Sequence, residues 1–153
     1  MQISPTNLHI SSFVIVKKKT GPGDGDYSIL FVKVGSKHPV SFRRGKLVVP
    51  STFLSFGEMP KNAAKRALSQ ALHNSEQLHD TLQLLSMQSF YVAHWDIVFL
   101  WEAWIKEGFK EVTAKEPYIE VRFCSPSNLP RSEISDDHLD VLDEMLHPTS
   151  VST

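Results

Sequence analysis

The apolar and polar residues of the first third of the chain alternate in a way that predicts a β-hairpin and a third strand. β-branched and apolar residues dominate Ser11 to Lys18 (SSFVIVKK) and Tyr27 to Val34 (YSILFVKV), which is typical of buried strands. Between them, residues 20–26 are rich in glycine, proline and aspartate, which predicts a loop. A short apolar run predicts a third strand at Lys46 to Val49, and residues 1–7 predict only a loose or edge-lying start.

A helix is predicted after the third strand. Pro60 suits a first helical turn, where its missing N–H is not needed. Apolar residues then recur at helical spacing, and the helix is expected to end near His73 and Asn74. Because the apolar stripe is narrow and rich in alanine, the helix is expected to lie close to a sheet; the stripe consists of Ala63, Ala64, Ala67, Leu68, Ala71 and Leu72.

The second half of the chain predicts three more strands and a final helix. Leu84 to Tyr91 and Asp96 to Ile105 are strand candidates joined through residues 93–95, and the second is apolar enough to be central. Residues 106–117 predict an exposed connection. Tyr118 to Cys124 alternates as a strand does, and Asp136 to Leu146 predicts an amphipathic helix. Ser135 is its expected N-cap, with three leucines inward: Leu139, Leu142 and Leu146.

Composition and charge exclude several classes of function. The 153 residues suffice for one domain with a real core, and the net charge of -1 offers no footprint for nucleic acid or an anionic membrane. Cys124 is the single cysteine, so an internal disulfide and a cysteine zinc site are excluded. No signal-like or bilayer-spanning stretch is present, which makes a cytoplasmic location the default expectation. The seven histidines show no HxxxH or HExxH spacing.

The segment from Lys46 to Asn74, called here the box segment, resembles the signature of the Nudix hydrolases, G-x5-E-x7-R-E-U-x-E-E-x-G-U, in which U is aliphatic. The spacing from Glu58 to Arg66 matches, and Pro60 and Leu68 fit the pattern. The chemistry of the signature does not match. Thr52 replaces the first glycine and His73 the last, and the three acidic positions are occupied by Ala67, Gln70 and Ala71.

This resemblance implies a fold and a chemistry. The fold would be an α/β/α sandwich with a mixed β-sheet between the box helix and a C-terminal helix, in a single domain over residues 1–153 with its core at about 9–147. The reaction would be hydrolysis of a nucleoside diphosphate linked to another moiety, assisted by magnesium on helix carboxylates. Of that machinery only Glu58 and Arg66 are present, with Glu58 as a weak candidate metal ligand.

Two interpretations remain open for the residues of the box segment. Glu58 and Arg66 are candidate catalytic residues, or they form an ion pair that holds the loop against the helix, the role that the arginine has in the family. Gln70 is a candidate ligand-binding residue, or a solvent-facing one. Since the β-branched Thr52 resists positive φ, the loop is expected to differ in shape or to carry strain.

Candidates outside the box segment also have two interpretations. Glu102, in the apolar strand, is a candidate relocated catalytic acid, or it faces solvent or pairs with an arginine. The acids of the next connection are further candidates: Glu107, Glu111 and Glu116. Phosphate contacts or a solvated loop are predicted for Arg43, Arg44 and Lys46. Base stacking or core packing is predicted for Phe90, Tyr91, Trp95, Trp101 and Trp104.

Three functional hypotheses follow. The leading one is a Nudix-fold protein that has lost ordinary magnesium-dependent hydrolysis and binds a nucleotide-like small molecule or a protein partner, with no certain cofactor. The alternative is an atypical, active pyrophosphohydrolase of nucleoside diphosphate derivatives, with relocated acids and Mg or Mn as cofactor. The third is a structural subunit that forms a homo-oligomer or joins a larger complex.

Overall fold

A computed structural model describes residues 8–92 and 94–148 of the chain. The predicted start at residues 1–7 and the connecting Ala93 lie outside the described residues. Within these two ranges the elements follow one another in the order β1 Leu8–Lys19, β2 Tyr27–Val34, β3 Leu47–Val48, β4 Ser51–Phe53, α1 Pro60–Ala71, β5 Leu72–His73, α2 Glu76–His79, β6 Gln83–Val92, β7 His94–Ile105, β8 Thr113–Ala114, β9 Tyr118–Cys124 and α3 Asp136–Leu146.

A mixed seven-stranded sheet forms the centre of the fold. β1 runs parallel to β7, in a continuous register from Leu8 opposite Trp95 to Lys18 opposite Ile105. The strands pair along the path β3-β2-β1-β7-β6, with β4 added to β1 and β9 added to β2. β5 and β8 form a separate two-stranded ladder. As predicted, the apolar strand β7 lies inside the sheet, between β1 and β6.

Helices cover both faces of the large sheet because successive residues of a strand point to opposite sides. Val14 and Val16 of β1 share one core with Leu68 of α1. Phe13 and Ile15, which alternate with them, share a second core with α3, through Val141 and Leu142. The fold is therefore the expected α/β/α sandwich. Among the described residues, no helix has the length and apolar character needed to cross a bilayer.

The box segment differs from expectation at the residues that were predicted to turn. Ser51–Phe53 is a strand that pairs antiparallel with β1, and Thr52 lies opposite Ser12. Among the described residues other than glycine, positive φ occurs only at Asn74. Of the two expectations for Thr52, the segment differs in shape and shows no positive φ at this residue, because an extended strand suits a β-branched residue.

Two further boundaries depend on tertiary contacts. α1 ends at Ala71 rather than near His73, because Leu72 turns to an extended conformation and pairs with Ala114. The connection over residues 106–117 is only partly exposed, since Val112 is buried in the core on the α1 side of the sheet.

Candidate functional site

α1 of the box segment is fixed to the sheet by small side chains and a hydrogen-bond chain. Pro60 occupies the first turn, and the alanines of the stripe are buried as predicted. The hydroxyl of Ser12 donates to the carbonyl of Pro60 at 2.8 Å. Trp101 Nε1 donates in turn to the Ser12 hydroxyl at 3.2 Å, in a buried position. The helix start is thus tied to β1 and β7.

Arg66 and Glu58 connect α1 to the loop before it. Arg66 Nε and Nη2 donate to the two carboxylate oxygens of Glu58 at 3.0 and 2.9 Å. Arg66 Nη1 also donates to the hydroxyl of Thr52 at 3.0 Å, and Nη2 to the carbonyl of Phe53 at 2.7 Å. The N–H of Ser55 donates to Glu58 at 3.0 Å. This arrangement corresponds to the structural interpretation of the pair.

The electrostatics of the pair follow from these contacts. The hydrogen bonds from Arg66, helped by that from the Ser55 N–H, lower the pKa of Glu58 to about 2. The same carboxylate raises the pKa of Arg66. Glu58 therefore stays ionised over the whole neutral range while its charge is already neutralised by a neighbour.

The residues at the box positions do not fit magnesium. Mg²⁺ needs hard oxygen ligands in near-octahedral geometry. Ala67 and Ala71 have no ligand atom and are each 1% exposed. Gln70 is an exposed neutral amide, and both oxygens of Glu58 already accept hydrogen bonds from Arg66.

The basic candidates lie elsewhere and mostly contact the C-terminal part of the chain. Arg43 forms an ion pair with Asp137 at the start of α3. Arg44 Nε donates to the carbonyl of His38 at 2.7 Å, and Lys46 Nζ donates to that of Ser132 at 3.0 Å. These contacts hold the loop before β3 against the segment before α3, and β3 pairs with β2 rather than with the strands nearest α1.

Glu102 has a partner that was not predicted. Lys17 Nζ lies 2.9 Å from its carboxylate, with the two side chains 12% and 14% exposed. The expectation of a solvent-facing acid or an arginine partner was wrong, because the parallel pairing of β1 and β7 brings a lysine to this position. Of the later acids, Glu116 pairs with Lys37 on the surface, while Glu107 and Glu111 are exposed. None of these acids approaches Glu58 through a contact that the described residues show.

The aromatic candidates divide between surface and core. Tyr91 and Trp95 are 64% and 45% exposed and lie on opposing strands with ring centroids 4.9 Å apart. Trp101 is buried, and Trp104 lies beside Lys17. Because Trp95 is in phase with Trp101 along β7, the exposed pair belongs to the α1 side of the sheet.

A cavity of about 710 Å³ lies between β9 and the segment over residues 109–114. It is lined by Phe109, Val112, Ile119 and Phe123, with Lys18 and Glu111 among its polar groups. None of the candidate residues of the box segment lines it, so the cavity and the box segment are separate features.

The sequence did not single out one further cluster, His9, His94 and Asp96, whose ligand atoms lie within 4.8 Å of one another. No local spacing signals it, because His9 is more than 80 residues from the other two. Only the register between β1 and β7, which places His9 opposite Asp96, brings the three together.

Comparison with solved structures identifies the fold. The NUDIX domain of NrtR from Shewanella oneidensis, solved with ADP ribose, is 13% identical, with a TM-score of 0.64 over 93% of this chain and 90% of that one. A C. elegans Ap4A hydrolase is 12% identical, with a TM-score of 0.62 over 90% and 94%. A MutT/nudix family protein from Enterococcus faecalis is 13% identical, with a TM-score of 0.58 over 80% of this chain and 46% of that one. The chain thus spans less than half of that last protein, and at such identities the likeness establishes the Nudix fold alone.

No family sequence model and no curated protein sequence matches the chain.

Proposed function

We propose that this Nudix-fold chain binds a nucleotide-like ligand and does not carry out ordinary magnesium-dependent hydrolysis. The observation that carries the proposal is the burial of Ala67 and Ala71, each 1% exposed and without a ligand atom. A dication next to this helix would meet methyl groups where the resemblance requires carboxylates. Ligand charge supplies most of the attraction for a hard cation, so magnesium would bind weakly here.

The remaining acid supports the same proposal. To coordinate a metal, Glu58 would have to give up hydrogen bonds to Arg66 and Ser55 that now hold the loop to α1. Arg66 would then lose its partner while still bonded to Thr52 and Phe53. The pair therefore serves best as a structural clamp, and the candidate catalytic roles of both residues are the less favoured interpretation.

The exposed rings of Tyr91 and Trp95 are the best candidates to contact the ligand. A pair of accessible rings on a sheet offers a stacking platform, and stacking a base on an aromatic side chain contributes about 1–3 kcal/mol. The pair lies on the face of the sheet that also carries α1. A structurally similar domain was solved with ADP ribose, which makes that molecule a sensible first probe.

Arg44 and Lys46 are the candidates for phosphate contacts. Arg43 is engaged in an ion pair with Asp137, whereas Arg44 and Lys46 have no ion-pair partner among the described residues, and each donates one hydrogen bond to a backbone carbonyl. β1 separates this loop from the strands of Tyr91 and Trp95. Gln70, exposed on α1, is the remaining candidate ligand contact of the box segment.

A protein partner is the second candidate function, and one observation favours it. β6 is the last strand of the sheet path and exposes Leu84, Met87 and Tyr91, which are 50%, 61% and 64% exposed. An open edge with apolar side chains pairs readily with another strand. A second copy of the chain would use the same surface as the proposed nucleotide-like ligand.

The first test separates binding from turnover. ADP ribose, Ap4A and ADP would be incubated with the chain in magnesium and then in manganese, and binding of each would be measured by calorimetry. We expect binding of at least one compound without hydrolysis above background. Turnover well above background, lost in both Glu58→Gln and Glu102→Gln, would instead establish the alternative of an active hydrolase with relocated acids.

A second test addresses the place of binding. Trp95→Ala is expected to raise the Kd of the bound compound at least about fivefold, which corresponds to the lower end of the stacking range. Phe123→Ala is the matched control, since Phe123 is 38% exposed on β9, a strand that pairs with β2 rather than with β6 or β7. Equal effects of the two substitutions would contradict the assignment. Concentration-dependent association without ligand binding, measured by sedimentation, would favour the homo-oligomer.

A further inference from the structure

His9, His94 and Asp96 form a compact group on the sheet face opposite α1. His9 lies across from Asp96 in the parallel pairing of β1 with β7, and His94 precedes Asp96 by two residues on the same face of β7. His9 Nδ1 is 3.6 Å from one carboxylate oxygen of Asp96, and His94 Nε2 is 3.2 Å from the other. The three side chains are 36–42% exposed, so the group is open to solvent on one side.

The separations match those between ligands of one metal ion. Zinc ligands lie at about 2.0–2.1 Å, so two of them at a tetrahedral angle are about 3.4 Å apart. The distances of 3.6 and 3.2 Å, each to a different oxygen of Asp96, are close to that value. One ligand atom from each of the three residues lies within 4.8 Å of the other two, so the group would have to contract to hold an ion.

The three side chains of the group are packed closely against one another. Two imidazoles converge on one carboxylate, and their ring centroids are only 4.3 Å apart at an interplanar angle of 47°. The ring of Phe53 packs edge-on against His9 with centroids 5.5 Å apart, which restricts where His9 can turn. Two imidazoles and one carboxylate form a ligand set that known transition-metal sites use.

We propose that His9, His94 and Asp96 bind a divalent transition-metal ion of the zinc class. Two neutral imidazoles and one carboxylate suit such an ion and do not suit magnesium, which prefers oxygen ligands. Three protein ligands leave a coordination position for water or an anionic group. The site lies on the opposite sheet face from α1, and none of its three ligands belongs to the box segment, although Phe53 of that segment packs against His9.

The test is metal binding by the full chain, made without a histidine tag and freed of metal by a chelator. Zinc would be titrated in competition with a chromophoric chelator, and cobalt would be followed by the visible absorption of a low-symmetry site. We expect one equivalent of zinc to bind, and His94→Ala and Asp96→Asn each to weaken the zinc affinity at least about tenfold. His73→Ala, at an exposed histidine on β5, is the matched control and should leave the affinity unchanged.

Two further measurements distinguish a lost metal site from a variant that fails to fold, and neither relies on the proposed function. Zinc should raise the Tm of the unaltered chain in a concentration-dependent way, since a ligand that binds the folded state stabilises it. Circular dichroism would confirm that each variant is folded. The proposal is overturned if zinc neither binds nor shifts the Tm, or if the His73 variant loses as much affinity as the His94 variant. Neither readout depends on nucleotide binding or hydrolysis.

Discussion

Arg66 and Glu58 are joined by two hydrogen bonds, from Nε and Nη2 to the two carboxylate oxygens at 3.0 and 2.9 Å. The same guanidinium reaches Thr52 and Phe53 of β4. One arginine of α1 thus fixes both the strand and the loop that precede the helix. These contacts occur in a segment where alanine and glutamine stand at the three acidic positions of the Nudix signature.

The pair should make stability depend on pH in an acid range. Because the pKa of Glu58 falls from 4.5 to about 2 in the folded chain, its contribution is complete above 4.5 and is lost as the pH falls towards 2. Glu58→Gln should therefore lower the Tm at pH 7, and the difference from the unaltered chain should shrink below pH 4.5. Thermal unfolding from pH 7 to pH 3 checks this. Glu107→Gln, at an exposed glutamate, should show no such difference at any pH.

Restoring a carboxylate at the end of α1 should destabilise the chain. Ala71 is 1% exposed, so Ala71→Glu would bury a charge and overfill the core, and should lower the free energy of unfolding by about 2–4 kcal/mol. Gln70→Glu, one residue earlier and exposed, should change it by less than about 0.5 kcal/mol. Urea denaturation of both variants measures the contrast. Unchanged stability of Ala71→Glu would mean that the position opens to solvent, and would weaken the case against a metal there.

Removing one partner of the Lys17–Glu102 ion pair should destabilise the chain more than replacing both partners together. Glu102→Gln leaves a largely buried ammonium without its partner, and should cost about 2–4 kcal/mol. Replacing both residues by apolar ones, Lys17→Met with Glu102→Leu, should recover most of that loss. The exposed pair Lys37 and Glu116 is the control, and Glu116→Gln should cost less than about 0.5 kcal/mol. A double variant less stable than Glu102→Gln would contradict the prediction.

His138 should produce a second pH effect, in a range nearer neutral. It is fully buried on α3 and accepts a hydrogen bond from the N–H of Val49, and its burial lowers its pKa from 6.5 to about 3. The unfolded chain therefore binds a proton that the folded chain does not, so stability falls as the pH drops below 6.5. The expected slope is about 1.4 kcal/mol per pH unit for this group.

His138→Asn keeps an acceptor for Val49 and removes the titration. The free energy of unfolding of this variant should fall less steeply between pH 6.5 and pH 5 than that of the unaltered chain. The difference between the slopes is the quantity to measure, because other groups titrate in both proteins. Parallel curves would show that folding does not lower the pKa of His138.

The local sequence pattern was sufficient to predict those elements whose conformation depends mainly on their own residues. Tyr118 to Cys124 and Asp136 to Leu146 were predicted at their observed bounds, from strand alternation and from an amphipathic helix respectively. Pro60 marked the start of α1 correctly, since its position in a first turn depends only on its ring and missing N–H.

What escaped prediction depends on contacts between distant parts of the chain. Ser51–Phe53 is a strand because it pairs with β1, which no pattern around Thr52 encodes. The partner of Glu102 and the approach of His9 to Asp96 both follow from the register of β1 on β7. Sequence patterns identify which residues are unusual, whereas the register decides which of them meet.

The parallel pairing of β1 with β7 also constrains how the chain folds. Parallel strands must be joined by a long crossover, and here the partner of the first strand ends only at Ile105. During synthesis, about two thirds of the chain must therefore be made before β7 can pair with the inner edge of β1. Such distant pairing slows folding and prolongs the exposure of an unpaired strand edge, so growth at low temperature or with chaperones should raise the yield of folded protein.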